Sequence, residues 1–320
     1  MPRRNAKDCE AGREARRRHD APKPGGLPSG VRYVMRLSVI IVHWNTAPDL
    51  RECLVALQKS PWSGGETEIL VVDNASRDGA VAMLAAEFPE VRVIANSENL
   101  IYAAATNQAL RVATGDYFLL LNPDACVTEG AIDKLITAQK AIVAAKLVSD
   151  DGSVQKSVRA FPTPLATITG SWTRLAFDYE KAGPAPQPMM SCLLFTRTVY
   201  EKIGGLDERF PLFFNDVDWS LRTERAGLET WYIPEAVVKH GHGGTTKRVR
   251  RSAVWESRRA WLRFLHKHFA RDPLRPLATV AVTLDAWRRT GRWGKLLGRD
   301  GGETTPESLR RELESEGRPS

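Results

Sequence analysis

The run Phe213-Phe214-Asn215-Asp216-Val217-Asp218-Trp219 sets two acids among large apolar side chains, and His240 follows Asp216 by 24 residues. A carboxylate is costly to bury without partners, so acids in such a setting need a counter-charge, solvent or a chemical task. Aspartates with a histidine could hold a divalent ion. The competing reading is a helix start. In that reading Asp216 caps a helix running toward Gly227, and Asp218 lies in its first turn, where the dipole favours negative charge.

Other polar residues of the same kind end apolar runs upstream. Leu37-Ser-Val-Ile-Ile-Val-His43 is a continuous β-branched run of the sort a buried parallel strand requires, and it closes on His43. A helix is expected from Pro48 to about Lys59. The run Glu68–Asp73 leads into Asn74-Ala75-Ser76 and a helical stretch over 79–87. A third strand, Val91–Ile94, precedes an Ala-rich helix over 100–113, and a fourth, Tyr117–Leu121, ends in Asn122-Pro123-Asp124. This β-α-β alternation predicts an α/β fold with a mostly parallel, Rossmann-like sheet flanked by helices. Such sheets bind ligands at the carboxyl ends of their strands, where His43, Asp73 and Asp124 would stand.

Residues 149–188 are rich in Pro, Gly, Ser and Thr and are expected to form loops or an insertion over the sheet. Ser191–Thr196 and Ala236–His240 are expected strands, and Val199–Ile203 a short helix. Arg250–Phe269 and Leu277–Trp287 are expected helices. Four segments result: a basic, disordered stretch over 1–34, with Met35 a candidate start; a principal domain over 35–245; a basic aromatic helical extension over 246–300; and a flexible tail over 301–320.

The formal net charge of +8 is unevenly spread, with ten basic and four acidic groups in residues 1–36 and fifteen and four in 246–300. Basic arms around an acidic body point to an anionic surface as partner, either membrane phospholipid or nucleic acid. No nucleic-acid motif accompanies them, and no nucleic-acid partner is expected. Cys9, Cys53, Cys126 and Cys192 are widely separated, with no CxxC pair and no secretory signal ahead of them, which fits a reducing cytosol. No apolar run reaches the roughly 18 residues of a spanning helix, so membrane contact would be peripheral, at the inner face of the cytoplasmic membrane.

Neither GxGxxG nor GxxxxGK[ST] occurs, which argues against a dinucleotide dehydrogenase or a P-loop NTPase. Carboxylates at strand ends stand in their place. Six motifs occur in order: Ser38-Val-Ile-Ile-Val-His-Trp-Asn45, Val71-Val-Asp-Asn-Ala-Ser76, Leu120-Leu-Asn-Pro-Asp124, Gly204-Gly-Leu-Asp-Glu208, Asn215-Asp-Val-Asp218 and His240-Gly-His-Gly-Gly-Thr245. Together they resemble the family-2 glycosyltransferases of GT-A fold, especially the bacterial rhamnosyltransferase-like branch, over residues 37–245.

The resemblance implies an inverting, metal-dependent hexosyltransferase. Residues 35–148 would be its nucleotide-sugar half and 149–245 its acceptor and catalytic half. Asp73 and Asn74 would bind the donor with His43 and Trp44 lining the pocket, and Asn122 would lie beside Asp124, the second acid of a DxD-like motif. Mg²⁺ or Mn²⁺ would sit on Asp124 and His240, with His242 as rival. Asp216 matches the catalytic base, since a carboxylate within hydrogen-bond reach can take a proton from a sugar hydroxyl. Asp218 would stand about 200° from it around a helix and be a support, along with Arg222. The donor would be a dTDP-, UDP- or GDP-linked sugar, rhamnose first, and the acceptor a glycan or polyprenyl-linked hydroxyl in cell-surface polysaccharide synthesis.

Two positions depart from the family pattern. Asn215 replaces the usual Glu before the base, and Ile101 stands where a glycine is usual, a place that favours φ > 0 or close backbone approach. These departures leave room for a non-catalytic sugar-nucleotide or glycan-binding protein of the same fold. The aromatic and arginine residues of 250–287 have two readings: a bilayer-interface helix, or a stripe packed on the principal domain.

Overall fold

The computed structural model describes residues 34–241, 250–290 and 311. The expected basic stretch before Val34, His242, residues 246–249 and 291–300, and the tail apart from Arg311 lie outside the described residues.

The first half alternates strand and helix as its apolar runs require: β1 (Arg36–His43), α1 (Ala47–Lys59), β2 (Glu66–Asp73), α2 (Ala80–Glu87), β3 (Arg92–Ala95), α3 (Ile101–Val112) and β4 (Tyr117–Leu121). Every residue of β1 after Arg36 is buried, as befits a strand covered on both faces. β1 pairs in parallel with β2 on one side and β4 on the other, and β2 with β3. The strand order therefore reverses beside β1, between β1 and β4, and a doubly wound sheet opens its ligand crevice at the carboxyl ends of such a pair.

The second half widens the sheet. β5 (Ala125–Val127), α4 (Ala131–Thr137) and β6 (Ile142–Val148) come first, followed by β7 (Val158–Arg159) and α5 (Pro164–Thr169) in the insertion. Then follow β8 (Gly183–Pro184), β9 (Gln187–Pro188), β10 (Cys192–Thr196), α6 (Arg197–Ile203), α7 (Asn215–Arg225) and β11 (Thr230–His240). Among the described residues the main sheet runs β3-β2-β1-β4-β10-β6-β11-β5, with β8 added on β11 and a separate β7-β9 ladder. β10 is antiparallel to both neighbours, while β6 and β11 are parallel. β11 begins at Thr230, earlier than the apolar run alone indicates. Pro234 cannot donate to the ladder, and the register shift between Ile233 and Val237 absorbs it.

One core layer lies between β1, β2, β4, β6 and helices α1, α2 and α4, and another between the opposite sheet face and α3, α6 and α7. The chain closes with α8 (Arg250–His268) and α9 (Arg275–Thr290). Ala260 and Phe264 of α8 are fully buried against Phe210, Phe214, Val217 and Leu221, so the aromatic stripe of α8 packs onto the principal domain. Of the two readings of this segment, α8 shows the packed one. No helix among the described residues is long and apolar enough to cross a membrane.

Candidate functional site

The register of β1 against β2 sets His43 directly beside Asp73. His43 is fully buried; Nδ1 is 2.9 Å from Thr46 Oγ1, and Nε2 lies 3.6 Å from both Asp73 Oδ1 and Asp78 Oδ1. Burial pushes its pKa down, against the pull of Asp78 and Asp73, so the ring is neutral near pH 7. His43 Nε2 and Asp73 Oδ1 are both buried without a hydrogen bond, while Asp73 Oδ2 accepts from the Ser76 amide. Buried polar atoms are rarely left so.

The sequence reading assigns Asn74 to the donor, yet its side chain is engaged within the protein. Nδ2 donates to the Ile101 carbonyl, and Oδ1 accepts from the Leu100 amide and from Asn96. Asn99 Oδ1 accepts from the Ile101 amide. These clamps hold Ile101 at φ 62°, a left-handed conformation that is a strained outlier for a β-branched residue. The Ile101 side chain, 2% exposed, packs on Trp44, Leu212 and Phe213, and so joins the end of β1 to the loop that leads into α7.

Asp124 leads into β5, and α4 begins only at Ala131 behind Gly130. Asp124 therefore caps no helix. Antiparallel pairing of β5 with β11 sets His240 opposite Ala125, and His240 Nε2 lies 3.5 Å from Asp124 Oδ1. Gln155 grips the same histidine twice: Oε1 is 2.9 Å from His240 Nδ1, and Nε2 donates to the His240 carbonyl at 2.7 Å. With Nδ1 as the donor, Nε2 carries the lone pair that metal coordination needs. Asn122 Nδ2 lies 3.4 Å from the same nitrogen and donates to Ser191 Oγ at 3.1 Å. Three or more metal-binding side chains do not gather anywhere among the described residues. Asp124 and His240 thus offer one oxygen and one imidazole ligand to a divalent ion.

α7 starts one residue after Phe214, itself left-handed at φ 65°. Asn215 is buried, and its amide donates to the carbonyls of Phe210 and Leu212. A glutamate there would bring an acceptor against those two acceptors, so asparagine suits this loop. Asp216 is half-buried. Its Oδ1 accepts from the Val217 amide, and Gln187 Nε2 of β9 approaches Oδ2 at 3.4 Å. Burial raises its pKa, opposed by the Val217 bond and the charge of Arg159. Gln187 Oε1 is buried without a partner. Gln155, at the Asp124–His240 pair, stands four residues before Arg159, whose register partner Gln187 approaches Asp216, and four residues reach at most about 14 Å.

Asp218 faces elsewhere, as its place on the helix requires. It has 0% side-chain exposure and is held by Arg222, Lys267 and His268; the last lies 2.7 Å away. Burial alone would raise its pKa, but these three partners hold it below the ordinary carboxylate value. Arg222 also donates to the carbonyls of Ile203 and Gly205, and Lys267 to Asp207. Asp218 and Arg222 thus tie α7 to the Gly204-Gly205 turn and to α8. Sequence reasoning missed Gln155, Gln187, Lys267 and His268. Only the histidine in an aromatic helix carried a signal, since a lone glutamine in a polar loop has none.

A doubly wound sheet with a buried His–Asp pair at its switch point, an Asp–His pair fit for a metal and a half-buried aspartate beyond them defines a nucleotide-sugar transferase of GT-A type. The chain belongs to glycosyl transferase family 2, whose family model matches residues 38–204. It is 29% identical over 271 residues to the N-acetylglucosaminyl-diphospho-decaprenol L-rhamnosyltransferase of Mycobacterium tuberculosis, covering 75% of this chain and 88% of that one. Among solved structures it is similar to GalNAc-T7 with UDP, GalNAc and Mn²⁺ (TM-score 0.59, 12% identity), covering 88% of this chain and 54% of that one. It is also similar to the mannosyltransferase PcManGT from Pyrobaculum calidifontis in complex with GDP-Man and Mn²⁺ (TM-score 0.50, 19% identity), covering 89% and 87%. These two likenesses support the fold.

Proposed function

We propose that this glycosyltransferase moves a sugar, with inversion, from a nucleoside-diphosphate donor to a hydroxyl of a polyprenyl-linked glycan at the inner face of the cytoplasmic membrane. The observation that carries the reading is Asp216: a half-buried carboxylate, raised in pKa by burial, with Gln187 beside one oxygen and Arg159 nearby. A raised pKa makes a stronger base, provided the group is ionised at working pH. Asp216 takes the acceptor hydroxyl proton as that oxygen bonds to the anomeric carbon, and the carbon–oxygen bond to the diphosphate breaks in the same displacement. One such displacement inverts the anomeric centre.

The unpartnered atoms of Asp73 and His43 suit the base or ribose of the donor, with Trp44 beside them. Mg²⁺ or Mn²⁺ on Asp124 and His240 would supply positive charge against the departing diphosphate. Gln155 keeps His240 in the coordinating tautomer, and Asn74 acts indirectly, by shaping the 96–101 loop. The lipid-linked acceptor and a dTDP-rhamnose donor are supported by the name of the mycobacterial relative and by the motif resemblance.

A thermal-shift screen of dTDP, UDP, GDP and their sugars, with and without Mn²⁺, tests this reading, because a ligand that binds the folded state raises its melting point. A metal-dependent rise with one nucleotide is expected. No rise with any of them would contradict it.

A further inference from the structure

A surface that could present a lipid-linked acceptor lies not on α8, whose aromatic stripe packs on the principal domain, but on α9. Leu277 is 60% exposed, Val280 55% and Leu284 47%, and their spacing of three and four residues places them on one helical face. Trp287 continues the stripe at 42% exposure. The opposite face of α9, through Ala278, Val282 and Ala286, is buried against α8. α9 also packs against α5, which adds the exposed Leu165 and Ile168. Scattered surface leucines are ordinary, but a periodic stripe continued onto a second helix is a patch, and such patches mark interaction sites.

Charge indicates the occupant. Arg271 and Arg288 are exposed at the two ends of α9, Arg174 is exposed beyond α5, and Asp285 is already paired with Arg258 and Arg289. An apolar stripe rimmed by arginine fits an anionic bilayer, into which Leu and Trp insert while guanidinium groups meet headgroups. The patch also has continuity with the catalytic edge. Thr167 of α5 accepts from the Trp261 indole, Phe161 packs in the cluster that seats Phe214, and Arg159 pairs in register with Gln187, which approaches Asp216.

We infer that the joined outer faces of α5 and α9 form a monotopic docking surface for anionic lipid, holding the chain where a membrane-bound acceptor can reach Asp216. The inference deepens the lipid-linked acceptor reading and rests on it for its purpose, but its test needs no catalysis. Full-length protein is co-sedimented with vesicles of phosphatidylcholine alone and of phosphatidylcholine with phosphatidylglycerol, at low and high salt. Binding to the anionic vesicles, weakened by salt, is expected. The double substitution Leu277→Glu with Leu284→Glu should lower partitioning about tenfold or more while leaving the melting temperature and nucleotide thermal shifts intact, since both side chains are exposed. Wild-type protein that ignores anionic vesicles, or a double variant that binds as well as wild type, would overturn the inference. So would a wild-type dimer that the double variant converts to monomer without any vesicle binding, since a second copy would then cover this face. Loss of nucleotide binding in wild type would refute the transferase reading and leave the vesicle result standing.

Discussion

Ile101 offers a test in which two ordinary expectations have opposite signs. At most positions glycine is less stable than alanine by about 0.5–1 kcal/mol, because glycine loses more backbone freedom on folding. At a left-handed position a Cβ costs roughly 1–2 kcal/mol, which reverses the order. Ile101 sits at φ 62°, fixed by Asn74 and Asn99, with its side chain buried on Trp44, Leu212 and Phe213. Ile101→Ala loses the side-chain packing and keeps the strain, at a cost of about 2–5 kcal/mol. Ile101→Gly loses the same packing but relieves the strain, so it should be the more stable of the two by roughly 1 kcal/mol, or about 2–4 °C in melting temperature. Both should melt below the parent. Differential scanning calorimetry of the three proteins in one buffer reads the order. An alanine variant that melts above the glycine variant would refute the strained-backbone account.

Three further outcomes follow from the same contacts. Asp218→Asn leaves Lys267, Arg222 and His268 facing a neutral amide, and should cost about 3–5 kcal/mol by thermal or urea denaturation. Asp207 and Asp218 are both held below their ordinary pKa by cationic partners that outweigh burial. Their contribution is therefore complete above the unfolded value near pH 4 and is lost as pH falls through the depressed folded values; melting curves from pH 6 to 3 should be flatter in Asp218→Asn. Gln155→Leu frees the His240 ring to change tautomer, and should weaken Mn²⁺ binding about 10–100-fold by titration calorimetry with nucleotide present, with little change in metal-free nucleotide binding.

The first half of the fold was legible because β1 is buried beyond Arg36 and β2 over its last four residues, as their apolar runs require, and its helices are punctuated by turn residues. The region after Asp124 was less so. Ile142–Val148 is a short apolar run that periodicity cannot assign to strand or helix, and β5 is three residues long. Asp218 could be read as a support from helical angle alone, but its partners Lys267 and His268 lie 49 and 50 residues away and only packing unites them. The glycine-like demand at Ile101 was visible in the motif, whereas the way an isoleucine meets it, through Asn74 and Asn99, was not. Asn74 shows the converse: a residue legible as a site member turns out to hold the loop beside it.

The central claim is that Asp216 is the base of an inverting transfer, and Asp216→Asn tests it most directly. The substitution keeps the shape and the Val217 and Gln187 neighbours while removing the proton acceptor. With the donor named by the thermal-shift screen, transfer to acceptor should fall by about 10²–10⁴-fold while the nucleotide-induced melting shift stays at the wild-type value. Because burial raises the Asp216 pKa, the wild-type rate should fall as pH drops through a value above that of an ordinary aspartate. Wild-type turnover by Asp216→Asn, with an unchanged acid limb, would contradict the account.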